Sequence, residues 1–234
     1  MLVYCDLHIH SCLSPCAQDD MTPANVVGMA CVKGLDVIAL TDHNSALNLP
    51  AAMAAGKAMG VQVIPGLEVT SREDVHVLAY FDTLENALAF GKIIDTHLPC
   101  VRNEPSLFGR QKVVDPQDQE QGEWDKLLIH ATDFGLEELC ALITRQRGVP
   151  VPAHINRGSN GMLGALGLMP DLPAHPVVEV SPFSDCPSYA TRGRLVLRSS
   201  DAHRLGDIAE RVFALEILTP TAKGVLDRLR YGPA

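Results

Sequence analysis

The sequence predicts an α/β fold in which seven or so strand–helix units close into a (β/α) barrel, with a doubly wound open sheet as the rival. Three observations lead there. Strand-like and helix-like segments alternate along most of the chain, a pattern that gives parallel strands joined by right-handed crossovers. A length of 234 residues suits one substantial core, so residues 1–234 read as a single domain. The glycines at Gly158, Gly161 and Gly164 do not form G-x-G-x-x-G after a strand, so a dinucleotide site has no support.

In chain order, Leu2 to Ile9 reads as a strand. Residues 22–33 read as a helix, because Thr22-Pro23 supplies an N-cap followed by proline at the first helical position. Asp36 to Leu40 is a short apolar strand, and residues 48–59, rich in Ala and Met, make a second helix that stops at Gly60. Val61 to Ile64 and Val75 to Phe81 follow as strands, and Thr83 to His97 as a helix. From about Pro99 the periodicity fails. The segment at about 99–126, with its Gln117-Asp118-Gln119-Glu120-Gln121 run, is a polar surface excursion, either a lid or part of an oligomer contact. Leu136 to Arg147 restores a helix, and Val149 to Ala153, Val177 to Val180, Leu195 to Leu197 and Val212 to Ile217 are strands before a final helix over about 220–230.

Composition narrows the function classes. Hydrophobic residues make up 47% and charged residues 20%, which is ordinary for a globular protein and wrong for a disordered one. The net charge of -9 argues against a duplex-binding surface, which needs many Lys and Arg contacts to phosphate. No basic region precedes a long apolar run at the N-terminus, and no stretch of about 18 uncharged apolar residues exists, so neither a secretory signal nor a membrane span is expected. The seven cysteines are odd in number and lack C-x-x-C spacing, which points to reduced thiols in the cytoplasm. Cys5 and Cys31 sit in apolar stretches and read as core.

The chemistry lies at the strand ends. His8 and His10 close the first strand, and side chains two apart on a strand face the same way. Thr41-Asp42-His43 ends the second strand and Gly66-Leu67-Glu68 follows the third. His76 opens the fourth, which must then start near the site and run another way. Pro152-Ala153-His154 ends a later strand and Ser200-Asp201-Ala202-His203 follows another, so six of the nine histidines coincide with strand termini. In parallel α/β folds the carboxyl ends of the strands share one rim. Neutral imidazole with carboxylate suits Zn, Fe or Mn, and the thiolates of a structural zinc site are missing from the pattern. Asp42 reads as a group that orients a histidine or caps a turn. His97 and His130 lack convergent neighbours, and His175 precedes its strand rather than ending one.

Asp6-Leu7-His8-Ile9-His10-Ser11, Thr41-Asp42-His43, Gly66-Leu67-Glu68, His76-Val77-Leu78-Ala79-Tyr80, Ala153-His154 and Ser199-Ser200-Asp201-Ala202-His203 resemble, in order, the motifs of the PHP (polymerase and histidinol phosphatase) family. The resemblance implies a distorted (β/α)7 TIM-like barrel of PHP type with two or three divalent ions (Zn, Mn or Fe). By motif, His8, His10, Glu68 and Asp201 would hold the first ion. Glu68 would bridge to a second, shared with His76 and His154, and His43 and His203 would hold a third. One departure stands out. Family members similar to small phosphoesterases read H-S-x-x-S-D-G where this chain has His10-Ser11-Cys12-Leu13-Ser14-Pro15-Cys16. Proline takes the place of an aspartate ligand; Asp19 or Asp20, with Asp20 preferred, could replace it through a longer loop, and Cys16 is another candidate.

Two ions about 3.5–4 Å apart can bridge a water, lower its pKa and hold a phosphoryl oxygen for in-line attack. The expectation is therefore a metal-dependent phosphoric ester hydrolase acting on a small phosphomonoester or nucleotide. Glu68 would be the bridge, and His43 or His203 would protonate the leaving oxygen. Arg157 and Arg204 would grip the phosphate, with Arg192 and Arg194 as weaker candidates. The alternatives are a phosphodiesterase or exonuclease acting on short oligonucleotides, and a non-catalytic metal-binding module. The expected partner is a small phosphorylated substrate, without duplex nucleic acid or membrane. The sequence leaves the oligomeric state open.

Overall fold

A computed structural model describes residues 1–170 and 175–232. In chain order the elements are β1 (Leu2–Ile9), α1 (Pro23–Val32), β2 (Val37–Leu40), α2 (Leu49–Met59), β3 (Gln62–Thr70), β4 (His76–Phe81) and α3 (Leu84–His97). The excursion follows as α4 (Pro105–Phe108), β5 (Lys112–Val114) and β6 (Glu120–Glu123). The rest comprises α5 (Leu136–Arg145), β7 (Gly148–Pro152), α6 (Met162–Leu166), β8 (Val177–Glu179), α7 (Ser188–Thr191), β9 (Leu195–Leu197), a 3-10 turn at Leu205–Asp207, β10 (Ala214–Glu216) and α8 (Ala222–Tyr231). No described helix is long and apolar enough to cross a membrane.

The fold is mixed α/β around a curled sheet in the order β10-β1-β2-β3-β4-β7. Only the centre follows the parallel expectation: β1, β2 and β3 pair in parallel, whereas β4 runs antiparallel to both β3 and β7, and β10 antiparallel to β1. β8 and β9 form a separate parallel pair. It is tied to the main sheet by Ile155 N–H to Glu179 O (2.9 Å) and, through the segment after β9, by His10 N–H to Ala202 O (3.0 Å).

The two faces of the sheet carry different cores. One packs against the helices and includes Ile38, Leu40, Leu67, Val77, Phe81, Val26 and Phe90. The inner face gathers Val3, Cys5, Leu7, Ala39, Ile64, Tyr80 and Val151 over Val225 and Leu229 of α8. This two-sided burial explains why the central strands read as continuous apolar runs.

The register of β1 against β2 slips between Asp6 and Ile9. Leu7 belongs to the inner core but Ile9 to the helix-facing one, so the odd-numbered side chains change face across the irregularity. His8 and His10 are thereby left on the inner rim, the kind of re-aiming that a bulge beside a site produces. β3 continues past its expected end at Ile64 to Thr70, so Glu68 lies within the strand, opposite Leu78 of β4. His76 starts β4 and enters the same rim because β4 runs the other way.

The excursion is neither structureless nor detached. Its hairpin reaches back to the loop after β1: Lys112 N–H donates to Cys12 O (2.8 Å), and Asn48 bonds both Lys112 O (3.0 Å) and the Val114 amide (3.0 Å). Gly109, at φ +99°, presses so closely on this loop that an added Cβ would lie 2.0 Å from Pro15 O. Cys5 is buried as expected, but Cys31 lies on the exposed side of α1, and all seven cysteines are free thiols.

Candidate metal centre

Glu68, 1% exposed, is the hub. Its Oε1 lies 2.8 Å from His76 Nδ1, 3.0 Å from His154 Nε2 and 3.2 Å from His8 Nε2. Its Oε2 lies 3.1 Å from His43 Nδ1 and 3.3 Å from His10 Nε2. Asp201 Oδ1 faces His8 Nε2 and His10 Nε2, each at 3.2 Å, and His203 Nδ1 at 3.7 Å. Potential ligand atoms fall into three overlapping groups: His8, His10, Glu68 and Asp201; His43, Glu68 and His76; and His10, His43 and His203.

A ring of neighbours sets the tautomers. Glu179, buried in β8, accepts from His8 Nδ1–H (2.9 Å) and from the His154 backbone amide (3.0 Å), which turns His8 Nε2 towards Glu68 and Asp201. Ser14 Oγ donates to Asp42 (2.7 Å), so it accepts from His10 Nδ1–H (3.0 Å) and from the His43 amide (3.1 Å). Asp42 also takes the amide and hydroxyl of Ser11 (2.7 and 2.6 Å). Its part is to lock the loop that aims His10. His203 Nδ1–H donates to Asp201 O (2.9 Å), leaving Nε2 for the cluster. His154 and Asp201 sit at φ +26° and +53°, a strain of about 1–3 kcal/mol each that is typical of functional turns.

Burial would push the Glu68 and Asp201 carboxyls up, but the facing histidines hold both well below the ordinary range. Burial would lower His8, yet Glu179, Glu68 and Asp201 raise it well above the usual value. His43 is raised likewise against its burial, by Cys16 and Glu68. His76 is lowered, chiefly by burial. Cys16 is an exposed residue; burial pushes its thiol up, but His43 and His203 draw it down to about 5.

Among the described residues several buried polar atoms of this cluster lack a well-formed hydrogen bond: His154 Nδ1, and the pair His43 Nδ1 and Glu68 Oε2, which face each other at 3.1 Å without the alignment of one. Buried polar atoms are rarely left so. Imidazole nitrogens and carboxylate oxygens aimed at common points are the donor set of Zn, Mn or Fe, so the residues fit the expected ions.

Of the residues singled out in the sequence, His8, His10, His43, Glu68, His76, His154, Asp201 and His203 come together. Asp20 does not: it is exposed, in the turn before α1, and belongs to none of the ligand groups among the described residues. Asp19 is also turned away, to Lys112 (2.7 Å) and Arg110 (3.6 Å). Arg157 Nη1 reaches Asp201 Oδ2 at 2.6 Å, whereas Arg204 is exposed and forms no ion pair among the described residues. Arg194 is spent on the carbonyls of His175 (3.0 Å) and Ala190 (3.3 Å). His97 pairs with Asp133 (2.7 Å), outside the cluster. Sequence reasoning missed Glu179. The signal was available: a lone carboxylate inside Val177-Val178-Glu179-Val180 must be partnered if the run is buried. Beside Asp201 opens a cleft of about 680 Å³ lined by Arg157, Phe183, Arg198, Ser200 and Asp207.

Comparison with known proteins places these features. The family profile described as PHP domain matches residues 6–161. A phosphoribosyl 1,2-cyclic phosphate 1,2-diphosphodiesterase of Eggerthella lenta is 35% identical over 78 residues, 31% of this chain and 29% of that protein. A 3',5'-nucleoside bisphosphate phosphatase of Chromobacterium violaceum is 37% identical over 90 residues, 37% of this chain and 30% of that protein. The matched stretches thus span under a third of either relative. In fold, the chain is similar to a lesion-specific endonuclease of Pyrococcus furiosus (TM-score 0.70) and to endonuclease Q in complex with a 27-mer duplex (0.69). Each is 18% identical, covering 99% of this chain and 56% and 57% of theirs.

Proposed function

The chain belongs to the PHP domain family, and from that premise we propose that it is a metal-dependent phosphoric ester hydrolase acting on a small phosphomonoester or nucleotide. The observation that carries this is Glu68, one buried carboxylate within 3.3 Å of five histidines. His8, His10, Glu68 and Asp201 would hold one cation, Glu68 with His76 and His154 a second, and His43 with His203 a third, on a (β/α)7 barrel. Bound divalent ions would supply an activated water and neutralise charge on the phosphoryl oxygens.

The chain's own groups do the rest. Glu68 and Asp201 fix the spacing of the imidazoles, and Glu179, Ser14 and Asp42 hold the rings in their tautomers. Arg157, next to Asp201 at the mouth of the cleft, offers a planar fork to a phosphate. The exposed ring of Phe183 (83% exposed) gives an apolar face to the organic part of a substrate. Where no third cation takes its Nε2, His203, 26% exposed in its side chain, is placed to give a proton to the leaving oxygen. A phosphodiester reading remains second, favoured by the relative named as a diphosphodiesterase. Binding of duplex nucleic acid finds little support in a net charge of -9.

The test is release of phosphate or of a diester product from nucleotides, nucleoside bisphosphates, sugar phosphates, histidinol phosphate and short oligonucleotides, with Mn, Fe or Zn supplied. Turnover on a monoester, lost in Glu68→Gln, is expected. Absence of turnover on the whole panel, with metal demonstrably bound, would favour a non-catalytic module.

A further inference from the structure

Resting on the reading that this centre holds divalent cations, we infer that Asn48 is a positioning residue for it. Through Asn48 the docked hairpin of the excursion sets how tightly His10 and His43 hold a cation, so the excursion is a strap on the metal centre rather than a lid over the substrate.

One run of buried hydrogen bonds carries the assignment. Asn48 stands at the N-cap position of α2, where asparagine ordinarily caps the helix, yet its fully buried side chain makes no capping bond. It is spent elsewhere. Oδ1 accepts from the Val114 amide (3.0 Å), and Nδ2 donates to Lys112 O and to Ser11 Oγ, each at 3.0 Å. The single proton of Ser11 Oγ goes to Asp42 (2.6 Å), as does that of Ser14 Oγ (2.7 Å). Ser14 Oγ then accepts from His10 Nδ1–H (3.0 Å) and from the His43 amide (3.1 Å). One end of the run is therefore the backbone of the hairpin, and the other is the proton that turns His10 Nε2 towards Glu68 and Asp201. Members of such a run support one another, so removing Asn48 loosens two ligands without deleting either. The excursion's other contacts agree with a strap. Lys112 Nζ meets Asp19 (2.7 Å), and Asp118, at the turn of the hairpin, accepts from the Thr22 hydroxyl (2.7 Å) at the head of α1. Among the described residues the excursion supplies no member of the ligand groups and none of the cleft beside Asp201.

The experiment measures zinc affinity against a chromophoric chelator, and the visible spectrum of the Co(II)-saturated protein, in the full-length wild type, Asn48→Ala and Thr83→Ala. Thr83 caps α3, so its loss destabilises the fold without touching the run. Asn48→Ala should bind zinc about tenfold or more weakly and show a shifted cobalt band, because His10 and His43 no longer approach at fixed angles. Thr83→Ala should show neither change. A measurement on the unaltered protein covers the case of a variant that does not fold. Coupling is reciprocal, so zinc should slow hydrogen exchange at the Val114 amide by about the same factor. The Gln146 amide, at the end of α5, should keep its rate. A folded Asn48→Ala protein whose zinc affinity stays within about twofold of wild type, or Val114 exchange unaffected by zinc, overturns this assignment and leaves the hydrolase reading intact. Failure of the wild type to bind any cation would overturn both.

Discussion

Glu179 offers a sharp test of whether the ring of outer hydrogen bonds, and not the ligands alone, makes the centre. Both of its contacts fall on one atom: Oε2 accepts from His8 Nδ1 at 2.9 Å and from the His154 amide at 3.0 Å, while Oε1 has no partner among the described residues. Glu179→Gln with its amide oxygen in the Oε2 position keeps both hydrogen bonds and loses only the charge behind His8. Its NH2 then occupies the buried, partnerless Oε1 position, at a cost of about 1–3 kcal/mol in stability. Glu179→Ala loses the orientation as well, freeing His8 to rotate and His154 to relax from its φ of +26°. An outer partner of a metal-bound histidine is worth about 10–100-fold in metal affinity, equal to about 1.4–2.8 kcal/mol. The expected order is therefore a loss of about tenfold in Gln and nearer a hundredfold in Ala. Competition for zinc against a chromophoric chelator measures this, with circular dichroism confirming the fold. A folded Glu179→Ala protein whose zinc affinity stays within about twofold of wild type would refute the reasoning.

Gly109→Ala meets Pro15 O at 2.0 Å from the new Cβ, at a φ of +99°. It should cost about 2–4 kcal/mol, seen as a lower Tm. An unchanged Tm would mean that the excursion does not brace the Cys16 loop. Asp20→Ala should leave bound metal and Tm unchanged; loss of an equivalent of metal would restore Asp20 as a ligand. In the metal-free protein His8 and His43 are raised, so their contribution is complete below about pH 6.5 and fades as pH rises through their folded values. Glu68 and Asp201 are depressed, so theirs is complete above about pH 4.5 and fades on acidification. Cys16, drawn down to about 5, opposes the alkaline loss, whereas His10, raised like His8 and His43, adds to it. The Tm of the chelator-treated protein should therefore rise towards about pH 6.5 and fall beyond it. A Tm still climbing at higher pH would contradict the raised histidines.

What the sequence disclosed and what it hid divide along a physical line. Local signals worked: Thr22-Pro23 does open α1 with its side chain capping Asn25 N, and Gly60 does close α2 in the left-handed conformation. Histidines at strand ends were legible because their types and spacing are rare together. Hidden features depend on partners far along the chain. Pro65-Gly66 looks like a strand break, yet β3 continues, with Pro65 opposite Leu40. Gly66 is there because a Cβ would come within 3.0–3.2 Å of Thr41, Ala79 and Tyr80. The antiparallel entry of β4 was inferred from His76 alone; no local pattern dictates it. The excursion's polar composition concealed that Asn48 and Lys112 tie it to the loop after β1.

Why, then, does this chain bring so many charged and polar groups out of water? The family match ends at residue 161, but Glu179, Asp201 and His203 complete the cluster from beyond it. That last third is drawn in by contacts to the first strand. Buried Asp6 accepts from the amides of Ser200 (3.0 Å) and Ala209 (2.9 Å) and from the Ser200 hydroxyl (2.6 Å), and β10 pairs with β1. A ring of carboxylates and imidazoles assembled this way carries a desolvation cost that mutual pairing only partly offsets, as the atoms without a well-formed hydrogen bond at His43, Glu68 and His154 indicate. Cations at the centre would satisfy those atoms, and because the ligands come from both ends of the chain, ion binding would stabilise the whole fold rather than one loop. The same long-range assembly that makes the site hard to read from sequence is what would make metal affinity and global stability a single property of this protein.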